Sequence, residues 1–140
     1  MSHVHRLHLS DRIFFVTVNL RRALAPFSPQ EYERVAAAME ESRRKLSFLL
    51  LGYVLMPDHW HALLCPSFPL TISRTVQDIK WLAARSLNRG RQTSGPVWQH
   101  QFWDRFVRHE REFHLALVHA ACAAPSTRTV SRATTISSLV

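Results

Sequence analysis

The chain has 140 residues, of which 46% are hydrophobic and 20% charged, so it is long enough for one compact domain and too short for two ordinary ones. Its 18 Lys and Arg residues against 10 Asp and Glu residues give a net charge of +8, and sixteen of these bases are arginine. Because guanidinium groups bind phosphates in a bidentate manner, a polyanionic partner is expected. No apolar run approaches the roughly 20 residues that cross a bilayer, and Cys65 and Cys122 have neither zinc-site nor disulfide-scaffold spacing. We therefore expect a cytoplasmic protein without a membrane partner.

The first half of the chain predicts a strand, then a helix, and then two more strands. Residues 1–11 form a polar, His-rich arm, and the β-branched and aromatic residues that follow from Arg12 to Leu20 predict the first strand. Ser28, followed by Pro29 and an early glutamate, predicts the N-terminus of an amphipathic helix. Two further strands, over 46–56 and 59–65, are separated by a Pro-Asp turn and fold into a hairpin.

The second half predicts two more helices, a strand and a tail. Apolar residues recur every three or four positions from Ile72 to Leu87, which indicates a second helix. Residues 88–96 contain two of the three glycines and predict a basic loop, 97–107 a strand, and 108–124 a third helix. Ser and Thr make up eight of the last fifteen residues, so a disordered tail is expected over 125–140.

This order of elements, β-α-β-β-α-β-α, indicates an α+β fold. It is typical of a ferredoxin-like antiparallel sheet with helices packed on one face. A single domain over residues 12–124 is predicted, between the N-terminal arm and the tail.

Two histidines in the predicted hairpin form the candidate metal site. Side chains alternate along a strand, so His59 and His61 project from the same face, about 7 Å apart at their Cα atoms. Two imidazoles so placed are able to bind one divalent metal ion. The spacing alone is also found in unrelated histidine pairs, and Asp58 fits either a turn or an acceptor that orients His59.

The segment from Tyr53 to His61, Tyr-Val-Leu-Met-Pro-Asp-His-Trp-His, resembles the signature of the single-tyrosine HUH transposases. More specifically, the chain is similar to the REP-associated tyrosine transposases of the insertion-sequence 200 type. The resemblance runs from about Phe14 to His119, and further matches lie at 84–88 and 95–105.

The resemblance implies a ferredoxin-like domain, usually dimeric, that binds single-stranded or hairpin DNA. It also implies strand cleavage by a tyrosine, which leaves a 5′-phosphotyrosine and a free 3′-hydroxyl, with His59 and His61 as ligands of Mg²⁺ or Mn²⁺. Mn²⁺ is the better match to nitrogen ligands.

The sequence departs from the family pattern where that tyrosine is expected. Leu117 occupies the tyrosine position and Ala121 the position of an amide that lies near the metal, so we expect cleavage to be impaired. Neither Tyr32 nor Tyr53, the chain's two tyrosines, belongs to the predicted third helix. His119 remains a candidate replacement ligand. The loss of the pattern after His119 suggests an ancestral frame disruption.

Basic residues on several elements are candidates for DNA binding, and exposed tryptophans would stack bases. The basic candidates are Arg74, Lys80, Arg85, Arg89, Arg91 and Arg105. Trp98 and Trp103 are the stacking candidates, although the core is the commoner place for either.

Two alternatives to a transposase with impaired activity stay open. One is a catalytically inactive derivative that only binds DNA hairpins. The other is a small metal-dependent hydrolase, which the net charge of +8 and the lack of carboxylates other than Asp58 near the histidines disfavour.

Overall fold

The computed structural model describes residues 13–107 and 128–130. The elements in these ranges are β1 (Phe14–Asn19), α1 (Pro29–Leu46), β2 (Leu49–Met56), β3 (His59–Cys65), α2 (Ile72–Arg91), β4 (Trp103–Phe106) and β5 (Arg128–Val130). They form one sheet of order β4-β1-β3-β2-β5, in which every neighbouring pair is antiparallel. The first six elements and the strand order β4-β1-β3-β2 confirm the predicted ferredoxin-like α+β fold.

Both helices begin at residues whose side chains cap the free N–H groups of the first turn. Ser28 accepts a hydrogen bond from the Glu31 N–H, and Glu31 accepts one from the Ser28 N–H, which completes a capping box. The Thr71 hydroxyl likewise accepts a hydrogen bond from the Arg74 N–H at the start of α2. The predicted start of each helix is therefore confirmed.

The two helices pack on one face of the sheet and enclose the main core. Alternate residues of β3, among them Trp60 and Leu64, point into this core and are fully buried. They meet Met39 of α1 and Ile79 of α2, which are also fully buried. The apolar faces of the two helices and the alternate apolar residues of the strands therefore pack together on the helix-covered side of the sheet.

The opposite side of the sheet carries the histidines, and we call it the histidine face. Cross-strand pairing aligns Thr17 of β1 with His61 of β3 and with Trp103 of β4. Directly paired residues point to the same side of a sheet, so all three project from the histidine face. A smaller apolar cluster around Leu51 and Leu63 lies on this side as well.

Three segments differ from the sequence-based prediction. Helix α2 continues through Arg91 into the predicted loop, where Gln92 ends it in the left-handed conformation with φ 55°. The predicted strand over 97–107 is regular only in β4, and Trp98 contributes a single bridge to Leu20. Residues 128–130 of the predicted disordered tail form β5, because they pair with β2 at the edge of the sheet.

The predicted third helix over 108–124 lies outside the described residues, as do Leu117, His119 and Ala121. Neither helix of the described part of the chain has the length and apolar character that a membrane crossing needs.

Candidate functional site

A two-residue turn and strand alternation bring the two histidines together. Pro57 and Asp58 form the turn between β2 and β3, and His59 is the first residue of β3. Alternation places His61 on the same face, where the two imidazole centroids lie 4.9 Å apart with their planes at 80°. The predicted juxtaposition of His59 and His61 is present in the structure.

One nitrogen of each imidazole is held by a neighbouring side chain. The Nδ1 atom of His59 lies 2.7 Å from Oδ1 of Asp58. Because a carboxylate accepts hydrogen bonds, His59 carries its proton on Nδ1 in this pair. The Nδ1 atom of His61 lies 2.8 Å from the Thr17 hydroxyl oxygen. These contacts fix both rings and leave each Nε2 without a hydrogen bond among the described residues.

His61 lies in a drier environment than a surface histidine. The ring of Phe15 stacks against it, with centroids 5.1 Å apart and planes at 21°. Burial, together with the positive charge that His59 carries when protonated, lowers the pKa of His61 from 6.5 to about 4. The ring is therefore neutral near pH 7, which is the form that binds metal ions.

The donor set fits a divalent ion that retains water or substrate ligands. A metal-binding imidazole usually donates the N–H of its other ring nitrogen to a carboxylate, a carbonyl or a water, and Asp58 is such a partner for His59. Among residues 13–107 and 128–130, no group of three or more His, Cys, Asp or Glu side chains is placed to hold a metal. The described residues thus supply two imidazole ligands, and the remaining positions of the ion would be open.

Both tyrosines of the chain lie away from the histidine face. Tyr53 pairs with Ala62, whose side chain points into the helix-covered core, and only 4% of Tyr53 is exposed. Tyr32 belongs to α1 and packs edge-on against Phe27 in the same layer. Neither phenol shares a face with His59 and His61. Burial and the negative charge of Asp58 raise the pKa of Tyr32, which packs against the helix-covered core.

The predicted DNA-binding residues lie on both faces of the sheet. Arg105 lies on the histidine face, where its guanidinium carbon is 5.4 Å from the centroid of Phe15. Arg74, Arg85 and Arg89 are exposed on α2, which covers the other face of the sheet. Only Arg105 of these four shares the face of the histidine pair.

Two of the predicted DNA-binding residues make contacts within the fold. Arg91 binds the Glu31 carboxylate through two nitrogens, at 2.5 and 2.9 Å, and also donates to the carbonyl of Ala25 at 2.9 Å. Lys80 donates to the carbonyl oxygens of Gln99 and His100, at 3.1 and 3.3 Å. These contacts tie α2 to the segments before α1 and before β4.

Arg21 and Arg22 are not among the residues that the sequence predicts to bind DNA, but the structure places them beside the site. They follow β1 directly, and the antiparallel pairing of β1 with β3 places the end of β1 beside His59, which pairs with Asn19. The signal was present in the sequence, since a strand that ends beside the histidine turn brings its next residues to the site.

Comparison with known proteins identifies the family. Residues 9–108 match the model of the IS200-like transposases. This match covers well over half of the chain, which therefore belongs to that family and contains a transposase domain.

Two solved structures show the same fold. A REP-associated tyrosine transposase bound to a REP hairpin superposes with a TM-score of 0.65 at 21% identity, over 80% of this chain and 64% of that one. A transposase-like protein from Deinococcus radiodurans R1 superposes with a TM-score of 0.61 at 15% identity, over 83% of this chain and 95% of that one. The chain therefore spans somewhat less than two thirds of the first relative. Comparison with curated proteins gave no match.

Proposed function

We propose that this chain is a single-tyrosine HUH transposase domain that binds single-stranded or hairpin DNA at its histidine face. It holds a divalent ion there but does not cleave the strand, because it has no tyrosine nucleophile. The proposal rests on two properties of the histidine face. His59 and His61 lie together there, each with its Nδ1 atom held by a neighbouring side chain. Neither tyrosine lies on that side of the sheet. The hairpin-bound relative, which shares this fold, supports the choice of DNA.

His59 and His61 are the proposed metal ligands, through their Nε2 atoms. A bound Mg²⁺ or Mn²⁺ would offset phosphate charge and polarise the phosphorus. Two protein ligands suit these ions, which commonly retain waters and bind substrate phosphate oxygens. Asp58 and Thr17 act here as positioning residues, since each holds the Nδ1 atom of one ring.

Arg105 is the proposed phosphate contact on the histidine face. Its stacking on Phe15 holds its guanidinium group over the histidine face. The fork of N–H donors then matches the oxygens of a phosphodiester. Homodimer formation is part of the same proposal and follows from the family resemblance.

Under this proposal, the residue at position 117 decides whether the domain cleaves DNA or only binds it. The family resemblance puts the attacking phenol at Leu117 and an amide at Ala121. A chain that keeps its imidazoles but lacks this phenol would bind DNA and leave the phosphodiester intact. It would then act as a DNA-hairpin binder, alone or together with an intact relative that supplies the tyrosine.

The proposal is tested with end-labelled hairpin DNA and Mn²⁺. We expect no denaturation-resistant adduct from the native chain, and adducts with nicks from a Leu117→Tyr, Ala121→Asn double variant. The same double variant carrying His61→Ala is the control and should form none. Cleavage by the native chain would overturn the assignment of position 117. Failure of the native chain to bind any single-stranded or hairpin DNA would overturn the proposed function itself.

A further inference from the structure

An open cleft of about 690 Å³ lies at the end of the sheet where β1 ends and β3 begins. Its lining includes Asn19, Arg21, Arg22, Asp58 and Trp103, and we call it the arginine cleft. Asp58 connects it to the site because its carboxylate holds His59. Asp58 thus belongs to both the cleft and the histidine site, so a strand bound at the histidines would pass beside this cleft.

The backbone at the arginine cleft is held firmly, whereas its two arginine side chains are available. The Arg21 N–H donates to the Val97 carbonyl at 2.9 Å, and the Gln99 N–H donates to the Asn19 carbonyl at 2.8 Å. Arg21 and Arg22 are exposed, and neither makes an ion pair in the described part of the chain. Asp58, the carboxylate in the lining, is bound to His59. The cleft therefore offers two guanidinium groups to an anionic ligand.

Trp103 gives this cleft an aromatic surface. It is 67% exposed, whereas Trp60 and Trp98 are buried in the core. Its row of the sheet runs through Thr17 to His61, so its Cα lies about 10 Å from that of His61 at the usual strand spacing. An exposed indole beside free guanidinium groups is the combination that binds single-stranded nucleic acid, in which bases stack on aromatic rings while the phosphates contact nearby cations.

We infer that the arginine cleft binds the single-stranded nucleotides next to the phosphate held at the histidines, with Arg21 and Arg22 on the backbone and Trp103 stacked on a base. A duplex keeps its bases stacked on one another and cannot present one to Trp103, so the ligand is an unpaired strand. This inference rests on the proposed function and adds the location of the strand outside the hairpin stem.

A neighbouring cleft extends the path that the strand would follow. A second cleft of about 630 Å³ shares Arg21, Arg22 and Gln99 with the first and continues past His100. The two arginines therefore stand between two connected depressions, as expected for residues that contact successive phosphates.

The test compares two DNA probes, a single-stranded oligothymidylate and a blunt hairpin without an unpaired extension. Trp103→Leu should weaken binding of the oligothymidylate about 5- to 100-fold and should weaken binding of the blunt hairpin, which has unpaired bases only in its loop, much less. Trp103→Phe keeps an aromatic ring and should restore much of the affinity. Trp81→Leu is the matched control, because Trp81 is also exposed, at 57%, but lies on α2.

The arginines are tested by the salt dependence of the same binding. Removing one cation that binds a phosphate of a single strand lowers the slope of log Kd against log salt concentration by about 0.7. We expect that decrease for Arg21→Ala and for Arg22→Ala, and no change for Trp103→Leu. Arg44→Ala, at an exposed position of α1, should also leave the slope unchanged.

The outcomes separate this inference from the proposed function. If the native chain binds the oligothymidylate and the cleft variants behave like Trp81→Leu and Arg44→Ala, the cleft assignment is wrong and the proposed function stands. Equal weakening of both probes by Arg21→Ala and Arg22→Ala would replace the unpaired strand with a duplex backbone. Circular dichroism of each variant, together with the milder Trp103→Phe, identifies a loss of binding that comes from misfolding.

Discussion

Replacing Arg91 with alanine distinguishes a structural role from a role in DNA binding. The sequence assigns Arg91 to DNA contact, within a basic loop. In the structure Arg91 ends α2 and binds both carboxylate oxygens of Glu31, at the start of α1, while also donating to the Ala25 carbonyl. The side chains of the pair are only 21% and 12% exposed. We therefore expect Arg91→Ala to affect stability and to leave DNA binding unchanged.

The size of the effect follows from the burial of the pair. Exposed ion pairs contribute about 0–1 kcal/mol, whereas removal of one partner from a buried pair costs about 3–5 kcal/mol. The Arg91–Glu31 pair lies between these limits and has bidentate geometry, so we expect Arg91→Ala to lower the free energy of unfolding by about 2–3 kcal/mol. For a domain of this size, that shifts the urea midpoint by about 1 M or more.

The assay combines urea unfolding with the salt dependence of DNA binding. Glu31→Gln and the double variant complete a mutant cycle, in which we expect a coupling energy of about 1–2 kcal/mol. Glutamine retains an oxygen that accepts the Ser28 N–H, so the cycle isolates the ion pair from the helix cap. Unchanged stability in Arg91→Ala, together with a salt slope smaller by about 0.7, would refute the structural role and restore the DNA contact.

Acid unfolding provides a second measure of the same pair. The hydrogen bond from Arg91 is the largest influence on Glu31 and, with the cap contacts at Ser28, keeps the pKa of this carboxyl below 4.5 despite its burial. Its contribution to stability is thus complete above the unfolded-state pKa and is lost as the pH falls through the lower folded-state value. Arg91→Ala should therefore lose less stability than the native chain on acidification, and a larger loss would contradict this sign.

Two further predictions concern the metal and the core. Saturating Mn²⁺ should raise the melting temperature of the native chain, by the equivalent of about 2.7 kcal/mol at 100 times Kd, and His59→Ala should abolish the increase; an equal increase in that variant would place the ion elsewhere. Trp60 is fully buried and its Nε1 has no hydrogen-bond partner among the described residues, so Trp60→Phe should cost clearly less in urea unfolding than the roughly 3–5 kcal/mol of Trp60→Ala. Equal costs would indicate a hydrogen bond from the indole.

The sequence predicted the parts of the site that depend on local rules. Alternation along β3 put His59 and His61 on one face, and the Pro-Asp turn set where that strand starts. The start of α1 at Ser28 followed from capping chemistry. Each of these inferences needs only a few consecutive residues, so contacts between distant parts of the chain do not affect them.

The roles of the basic residues could not be predicted in the same way. Arg91 and Lys80 have the same local character as exposed bases, but their partners, such as Glu31 and Gln99, are distant in sequence. Whether a guanidinium or ammonium group is available to DNA depends on these long-range contacts. Trp98 and Trp103 were equivalent in sequence for the same reason, and only the completed sheet separates the buried ring from the exposed one.

The geometry of the β2–β3 hairpin also explains why Tyr53 does not replace the missing nucleophile. The two-residue turn fixes the pairing of Met56 with His59, and from there alternation directs Tyr53 into the helix-covered core. A bulge between Leu50 and Gly52 changes the phase of β2, but it lies beyond Tyr53 when counted from the turn, and so leaves that residue where it is. Turning Tyr53 to the histidine face would need a one-residue slip of the hairpin, which would also remove Leu55 from the core. An attacking oxygen must therefore come from a different position, and under the proposed function that position is 117.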